Sequence, residues 1–220
     1  MSLPVPPTGS DFWNLFSAFF IIGLVAGGTV VAMMTYWAYA NRKKVRRHLF
    51  TVHHTHFRSR AREAVTIAVI STTLLFTLAI LSDNIVTHIQ YPPDPAQSLV
   101  IDVTAFQWAF KFTYPNNVSV VSDCKIPVDT PVIFNVTSTD VMHDFGLPDF
   151  KVKIDAIPGR YNIIWIEVPS LEDQNELIYK IHCYELCGIG HTYMMANLTV
   201  MSQSAFDQWL NQTAASQAGG

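Results

Sequence analysis

The stretch "HCYELCGIGHTYMM", residues 182–195, gathers two cysteines, two histidines and two methionines into fourteen positions of a chain that has three cysteines in all. On either side, "LIYKIHC" (177–183) and "NLTVMS" (197–202) are short and rich in β-branched and aromatic residues, so the stretch reads as a loop between two strands. Cys187 follows Cys183 by four residues, His191 follows Cys187 by four and Met194 follows His191 by three, while "GIG" (188–190) lets the loop curl back over one point. Thiolate, imidazole and thioether together favour a soft metal, copper above all; Met is a poor zinc ligand and no ligand for calcium or magnesium. A mononuclear blue-copper site takes one Cys, two His and a weak Met. Two thiolates, each able to bridge, point instead to two coppers.

A second histidine must then come from outside the loop. The choice falls on His143 in "STDVMHDFGLP" (138–148), after the strand-like "PVIFNVTS" (131–138). His182 competes, but it neighbours Cys183 at a strand end, where alternation sends the two side chains to opposite faces. A Cys183–Cys187 disulfide would leave His191 and Met194 without a purpose, and a zinc site would leave Met194 without one. Cys124 in "VSDCKIP" reads as a buried, isolated thiol.

Further out, "SLVIDVTAFQWAFKFTY" (98–114), "PVIFNVTS" and "RYNIIWIEV" (160–168) repeat the short β-branched and aromatic pattern between Pro, Gly, Asn and Asp, which predicts a sandwich or barrel of roughly 110 residues. "SAFDQWLNQT" (204–213) predicts one or two helical turns, and "AASQAGG" (214–220) a loose tail.

The N-terminal part has a different character. From Phe12 to Tyr39 no side chain is charged, and Ala64–Ser82 is a second uncharged run. At about 1.5 Å per residue the first is long enough to cross a hydrocarbon core of roughly 30 Å. Helices apolar all round need either a membrane or a large protein interior, and the remaining chain offers too little surface for the second. The first run is too long for the apolar part of a secretory signal, and "PVPPTGSD" before it has no basic flank. Between the runs lie Arg42, Lys43, Lys44, Arg46, Arg47, Arg58, Arg60 and Arg62 against Glu63 alone. Such a loop stays cytoplasmic and puts both termini outside. From Asp83 onward, fifteen acids face six bases, a formal charge of −9 hidden within the whole-chain −3; it would steer a basic external partner.

In combination these features resemble subunit II of haem-copper cytochrome oxidases. Two membrane helices, "FQWAFKFTYP", "KVKIDAIPGR" and the cysteine loop occur in that family's order, and "DAIPGR" (155–160) is nearly as diagnostic as the loop. The resemblance implies two N-terminal transmembrane helices (a helical hairpin) followed by an external all-β cupredoxin-like Greek-key barrel. The expected divisions are 1–90 for the N-terminal segment and hairpin, with a basic cytoplasmic loop at 41–63, then 91–212 for the copper A domain and 213–220 for a flexible tail.

By resemblance, Cys183 and Cys187 bridge two coppers, His143 and His191 bind one each, Met194 is a weak ligand of one and the carbonyl of Glu185 of the other. The Glu185 carboxylate reaches a magnesium or manganese ion shared with subunit I. Trp108 takes electrons from a docked donor, a cytochrome c or small blue-copper protein, on an acidic face for which Asp140 is the first candidate. Asp155 and Arg160 stabilise the subunit boundary. Electrons pass to haem in subunit I, where oxygen is reduced to water with proton translocation. Expected partners are subunit I, other oxidase subunits, the donor and lipid, with no nucleic acid; the expected place is a prokaryotic plasma membrane ahead of the mitochondrial inner membrane. A copper-free quinol-oxidase subunit and a copper carrier are the rival readings; the intact Cys183, Cys187, His191, Met194 and His143 speak against the first, and the two spans with "DAIPGR" against the second.

One departure from the family concerns the glutamate that marks a proton-channel entrance in many members. Val65 stands there, and Glu63 lies two residues earlier, about 200° away around a helix. "HHTH" (His53, His54, His56) reads as part of a solvated basic loop. Four N-glycosylation patterns, at Asn117, Asn135, Asn197 and Asn211, all fall in the external part, with Asn211 favoured for its nearness to the tail.

Overall fold

Proline, the β-branched residues and the turn formers divide this chain into two long helices and ten short strands among the residues that the computed structural model describes, 7–42, 57–171 and 174–219. The contacts separate a helical unit, Trp13–Val86, from a unit that carries the strands.

In the helical unit, α1 (Pro7–Asn41) and α2 (Phe57–Gln90) contain apolar windows at Phe12–Asn41 and Arg62–Asp83 in which no residue is buried by the protein itself. Large side chains such as Leu24, Val25, Ile67 and Leu75 are exposed around the helices. Such surfaces are stable only in an apolar medium. The few hydroxyls turn inward: Thr29 donates to the Val25 carbonyl at 2.7 Å, Thr66 to Arg62 at 2.9 Å and Thr77 to Thr73 at 2.9 Å. This removes their need for water. α2 begins inside the segment expected to be loop, so Glu63 and Val65 both lie on its N-terminal part. His53, His54 and His56, with most of the basic run, lie outside the described residues.

In the β unit, one sheet has the order β3-β2-β1-β5-β8 and the other β4-β10-β9-β6-β7. The first is built from β1 (Leu99–Phe106), β2 (Ala109–Thr113), β3 (Ser119–Val121), β5 (Val132–Ser138) and β8 (Asn162–Ile166). The second is built from β4 (Asp123–Pro127), β6 (His143–Leu147), β7 (Val152–Ala156), β9 (Glu176–His182) and β10 (Met195–Met201). Neighbours far apart in sequence pair in parallel, β1 with β5 and β10 with β4, as crossover connections of a Greek-key sandwich require. Phe145 of β6 packs on Phe110 and Phe112 of β2 and on Phe134 of β5, with ring centroids 5.6, 6.2 and 5.2 Å away. This aromatic cluster joins the two sheets.

Two expectations need correction. The apolar run 98–114 is two antiparallel strands, because the chain reverses at Gln107–Trp108 and pairs Phe106 with Ala109. Composition cannot show a turn made of Gln and Trp. The tail is also helical: α3 runs from Gln203 to Ala218, covering residues expected to be loose. Ser202 caps its first turn, buried Phe206 and Trp209 pack on Tyr114, and the Gln217 side chain both accepts from the Ser119 amide at 3.2 Å and donates to its carbonyl at 2.7 Å. Gln217 thereby pairs with edge strand β3 as a neighbouring strand would. Asn211 is consequently a helical residue, whereas Asn117 is exposed beside the β3 turn; Asn135 and Asn197 are bonded to Asp102 and Lys180.

Candidate metal centre

β9 and β10 pair antiparallel with Met195 opposite His182, and the Cys183 amide donates to the Met194 carbonyl at 3.1 Å. Residues 183–194 are therefore a loop pinched shut at its base. Along β9 the core-facing positions are Leu177, Tyr179, Ile181 and then Cys183, while His182 lies on the other face against Tyr184. The alternation argument against His182 holds.

β6 reaches this loop through one pairing, Gly146 with His182, in an antiparallel sense. Moving back from Gly146 to His143 moves forward from His182 into the loop, and the imidazole arrives beside the thiols. Ligand atoms of His143, Cys183 and Cys187 lie within 4.8 Å of one another, all in buried residues. The two Sγ atoms are 3.8 Å apart and not bonded to each other. Cys187 Sγ lies 3.5 Å from His191 Nδ1 and 3.7 Å from Met194 Sδ, and Cys183 Sγ lies 3.3 Å from the Glu185 carbonyl. All six residues expected from the sequence meet at one place.

The donor set suits a metal on independent grounds. His143 is completely buried, its Nε2 lies 2.8 Å from Asp140 Oδ1, and its Nδ1 has no partner. A buried imidazole nitrogen without a partner is costly unless something binds it, and the carboxylate on the other nitrogen fixes the tautomer that leaves Nδ1 free. Burial, followed by the neighbouring Cys183 thiol, pushes Cys187 up to about 11, so a metal must displace its proton.

Asp140, the acid expected on a docking face, also holds the buried imidazole. Its Oδ1 also accepts from the Val141 amide at 2.6 Å and its Oδ2 from the Gln107 amide at 2.7 Å. Burial opposes its charge, but these bonds together outweigh it and hold the carboxyl at about 2. Two further residues escaped sequence reasoning. Gln107 donates from Nε2 to the Cys187 carbonyl at 2.7 Å, beside the 3.3 Å bond from Trp108 Nε1 to the same oxygen. Asp144, also completely buried, pairs with Lys153 at 2.9 Å. Nothing in single-residue types distinguished them; only adjacency to Trp108 and His143 could have raised them. Burial raises the Asp144 carboxyl, and Lys153 partly offsets this.

The motif 155–160 has a direct role in this geometry. Its first residues end β7, pairing Asp155 with Asp144 and Ala156 with His143, and Gly159 turns the chain with φ +74°. The Thr137 hydroxyl donates to the Ile157 carbonyl at 3.2 Å. The motif thus flanks the strand that delivers His143. Cys124 is buried and free, with the Tyr114 hydroxyl 3.8 Å away and outside this cluster.

Comparisons with known proteins agree with this fold. The family described as cytochrome c oxidase subunit II, periplasmic domain, matches residues 116–201. Haem-copper oxidase subunit 2 of Aeropyrum pernix is 34% identical over 215 residues, covering 93% of this chain and 90% of that protein. A probable cytochrome c oxidase subunit 2 of Rickettsia bellii is 31% identical over 164 residues, 64% of this chain; the chain spans 58% of that relative's length. The crystal structure of the periplasmic domain of cytochrome oxidase subunit II from Bradyrhizobium japonicum superposes with a TM-score of 0.51 at 29% identity, over 56% of this chain and 97% of that one. With apolar helices ahead of a cupredoxin-like sandwich and similarity along nearly the whole length of an established member, this chain belongs to the subunit II family of haem-copper oxidases.

Proposed function

We propose that His143, Cys183, Cys187, His191 and Met194, with the carbonyl of Glu185, hold a dinuclear copper A centre. Through it this subunit takes electrons from an external donor protein and passes them to haem in subunit I, where oxygen is reduced to water with proton translocation. One observation carries the reading: two unbonded thiols, a buried imidazole with an unpartnered nitrogen, a second imidazole and a thioether converge within a few ångströms. Two bridging thiolates would let a bound copper pair share one unpaired electron and exchange it with little change in bonding.

The chain supplies rigidity and access. The β9–β10 pinch fixes the loop, Phe145 anchors β6 across the sandwich, and Asp140 orients His143. Burial of both cysteines keeps water from the thiolates. Trp108 is partly exposed while its indole N–H touches the Cys187 carbonyl, which supports a role as the contact through which electrons arrive. The half-buried Glu185 carboxylate is assigned to a magnesium or manganese ion completed by subunit I, since hard oxygen ligands suit it and one carboxylate cannot form the site. Basic residues between α1 and α2 favour a cytoplasmic loop, with both termini and the copper domain outside a prokaryotic plasma membrane.

Visible, near-infrared and electron paramagnetic resonance spectra of the copper-loaded oxidase test the assignment. A mixed-valence dinuclear signal is expected, and it is lost on Cys183→Ser or Cys187→Ser because a hydroxyl is neither a thiolate nor a soft bridge. The full signal in either variant refutes the site.

A further inference from the structure

Two soft donors of the stretch 182–195 stay outside the cluster, His182 and Met195. They stand opposite each other in the sheet. β9 and β10 pair Met195 with His182, and because the next rung carries the bond from the Cys183 amide to the Met194 carbonyl, theirs is a rung without one. On such rungs the Cα atoms are about 4.5 Å apart and the side chains are closest. Opposite residues share a face, and with Cys183 and Met194 turned to the core this face is the outer one. Met195 is 44% exposed and His182 half-buried. Among the described residues nothing bonds to either ring nitrogen of His182; its ring neighbour, Tyr184, stands on the β6 side over Gly146, with centroids 6.0 Å apart. Two lysines of this face are already engaged: Lys153, opposite Gly146, with Asp144 at 2.9 Å, and Lys180, two residues before His182, with Asn197 at 2.6 Å.

We infer that His182 and Met195 form a further, outward-facing site for Cu(I), where the ion is held before it passes to the thiols inside. An imidazole nitrogen and a thioether make a soft donor pair that suits Cu(I) and offers nothing to calcium or magnesium. Both donors are neutral. They take up Cu(I) without releasing a proton, whereas each buried thiol must lose one to bind it; the outer pair therefore fills readily, and the thiolates then hold the ion more tightly. Passage is a ligand exchange at constant oxidation state: Cu(I) leaves the imidazole and the thioether and bonds to Sγ, and the thiol proton goes to water. The path is short, for Cys183 directly follows His182, Met194 directly precedes Met195, and both strands end at this rung. The loading role rests on the dinuclear copper reading proposed above; the binding of Cu(I) at the outer pair does not.

The test uses the full-length chain in detergent micelles, labelled with carbon-13 at the methionine methyl groups and kept under ascorbate and argon so that every copper stays Cu(I). The probe is Cu(I) buffered with bicinchoninate. Once the thiols are loaded, further Cu(I) should shift the methyl resonance of Met195, identified by its loss in Met195→Leu, and the ring protons of His182. His182→Ala should weaken that uptake at least about tenfold, since loss even of a partner that only orients a ligand costs about 10–100-fold. His182→Met, which restores a soft donor, should recover it. In copper-free chain given limiting Cu(I), an outer pair filled about a tenth as often should slow the rise of the thiolate–copper absorption by up to about tenfold. After oxidation with ferricyanide the dinuclear spectrum should be the same in all these chains, because the substituted side chains face away from the centre.

A Met195 methyl that further Cu(I) leaves unshifted, or uptake as tight in His182→Ala as in wild type, overturns the outer site. Loading as fast in His182→Ala and Met195→Leu as in wild type overturns the loading role. A wild-type chain that gives the Met195 shift but no dinuclear spectrum overturns the copper A reading and the loading role with it, and supports the outer pair as a Cu(I) site in its own right.

Discussion

Asp140→Ala removes the acceptor that orients His143. The imidazole is completely buried, and Asp140 Oδ1 at 2.8 Å is the partner of its Nε2. Without the carboxylate one buried ring nitrogen has no acceptor, at a cost of about 1–3 kcal/mol. Loss of a partner that orients a metal-binding histidine typically lowers metal affinity about 10–100-fold, which corresponds to about 1.4–2.8 kcal/mol, so two separate routes give the same size of effect. The bonds to the Gln107 and Val141 amides contribute less, because the Asp140 side chain is 31% exposed and water can replace it there. Copper affinity, measured by competition with a chelator of known strength, should therefore fall about 10–100-fold in Asp140→Ala. Asp140→Asn should lose less, since its amide oxygen can still accept from Nε2–H. The salt dependence of donor reduction in the copper-loaded variant should match that of wild type. Unchanged copper affinity in this variant would refute this reasoning.

Gly190→Ala should disturb Trp108 without backbone strain, since φ at this position is −87° but the new Cβ would lie 2.6 and 2.8 Å from Cγ and Cε3 of the indole. Slower reduction by protein donors with an unchanged copper spectrum is expected, together with an overpacking cost of about 1–3 kcal/mol in thermal unfolding; unaltered indole fluorescence and kinetics would contradict the packing described. Burial, assisted by Asp123 and opposed by the Tyr114 hydroxyl, raises the Cys124 thiol above its usual range, so raising the pH through the ordinary thiol range generates little thiolate there. Iodoacetamide should label Cys124 only after unfolding, as peptide mapping by mass spectrometry would show; labelling in the native protein would contradict its burial. Gln217→Ala should cost about 1 kcal/mol, the loss of two partly solvated hydrogen bonds, and should speed hydrogen exchange at the Ser119 amide. Exchange unchanged at Ser119 would show that α3 does not support the edge strand.

The chemistry of the site was legible because it resides in residue types and short spacings. Two Cys, a His and a Met within twelve positions can converge on one point whatever the surrounding fold, and strand alternation sufficed to prefer His143 over His182. The apolar helices were equally legible, since hydrocarbon imposes length and absence of charge on a continuous segment. The β character followed from composition, but its arrangement did not. The reversal at Gln107–Trp108 leaves no mark in composition, and the parallel pairing of β1 with β5 and the single Gly146–His182 pairing that brings β6 to the cysteine loop depend on contacts between distant segments.

For the same reason α3 was underestimated. Its last turns are held by Gln217 on Ser119, 98 residues away in sequence, and local propensity carries no trace of such a bond. The role of Asp140 was decided in the same way. An acid three residues before a buried histidine need not reach the imidazole, and the sequence does not say whether it does; the fold brings it there and places the Gln107 amide where it binds the other carboxylate oxygen. The candidate ligands and the two apolar helices were thus legible in the sequence alone, as local properties. Which side chains bond to those candidate ligands was decided by tertiary structure, because a carboxylate's direction depends on neighbours that the linear order does not specify.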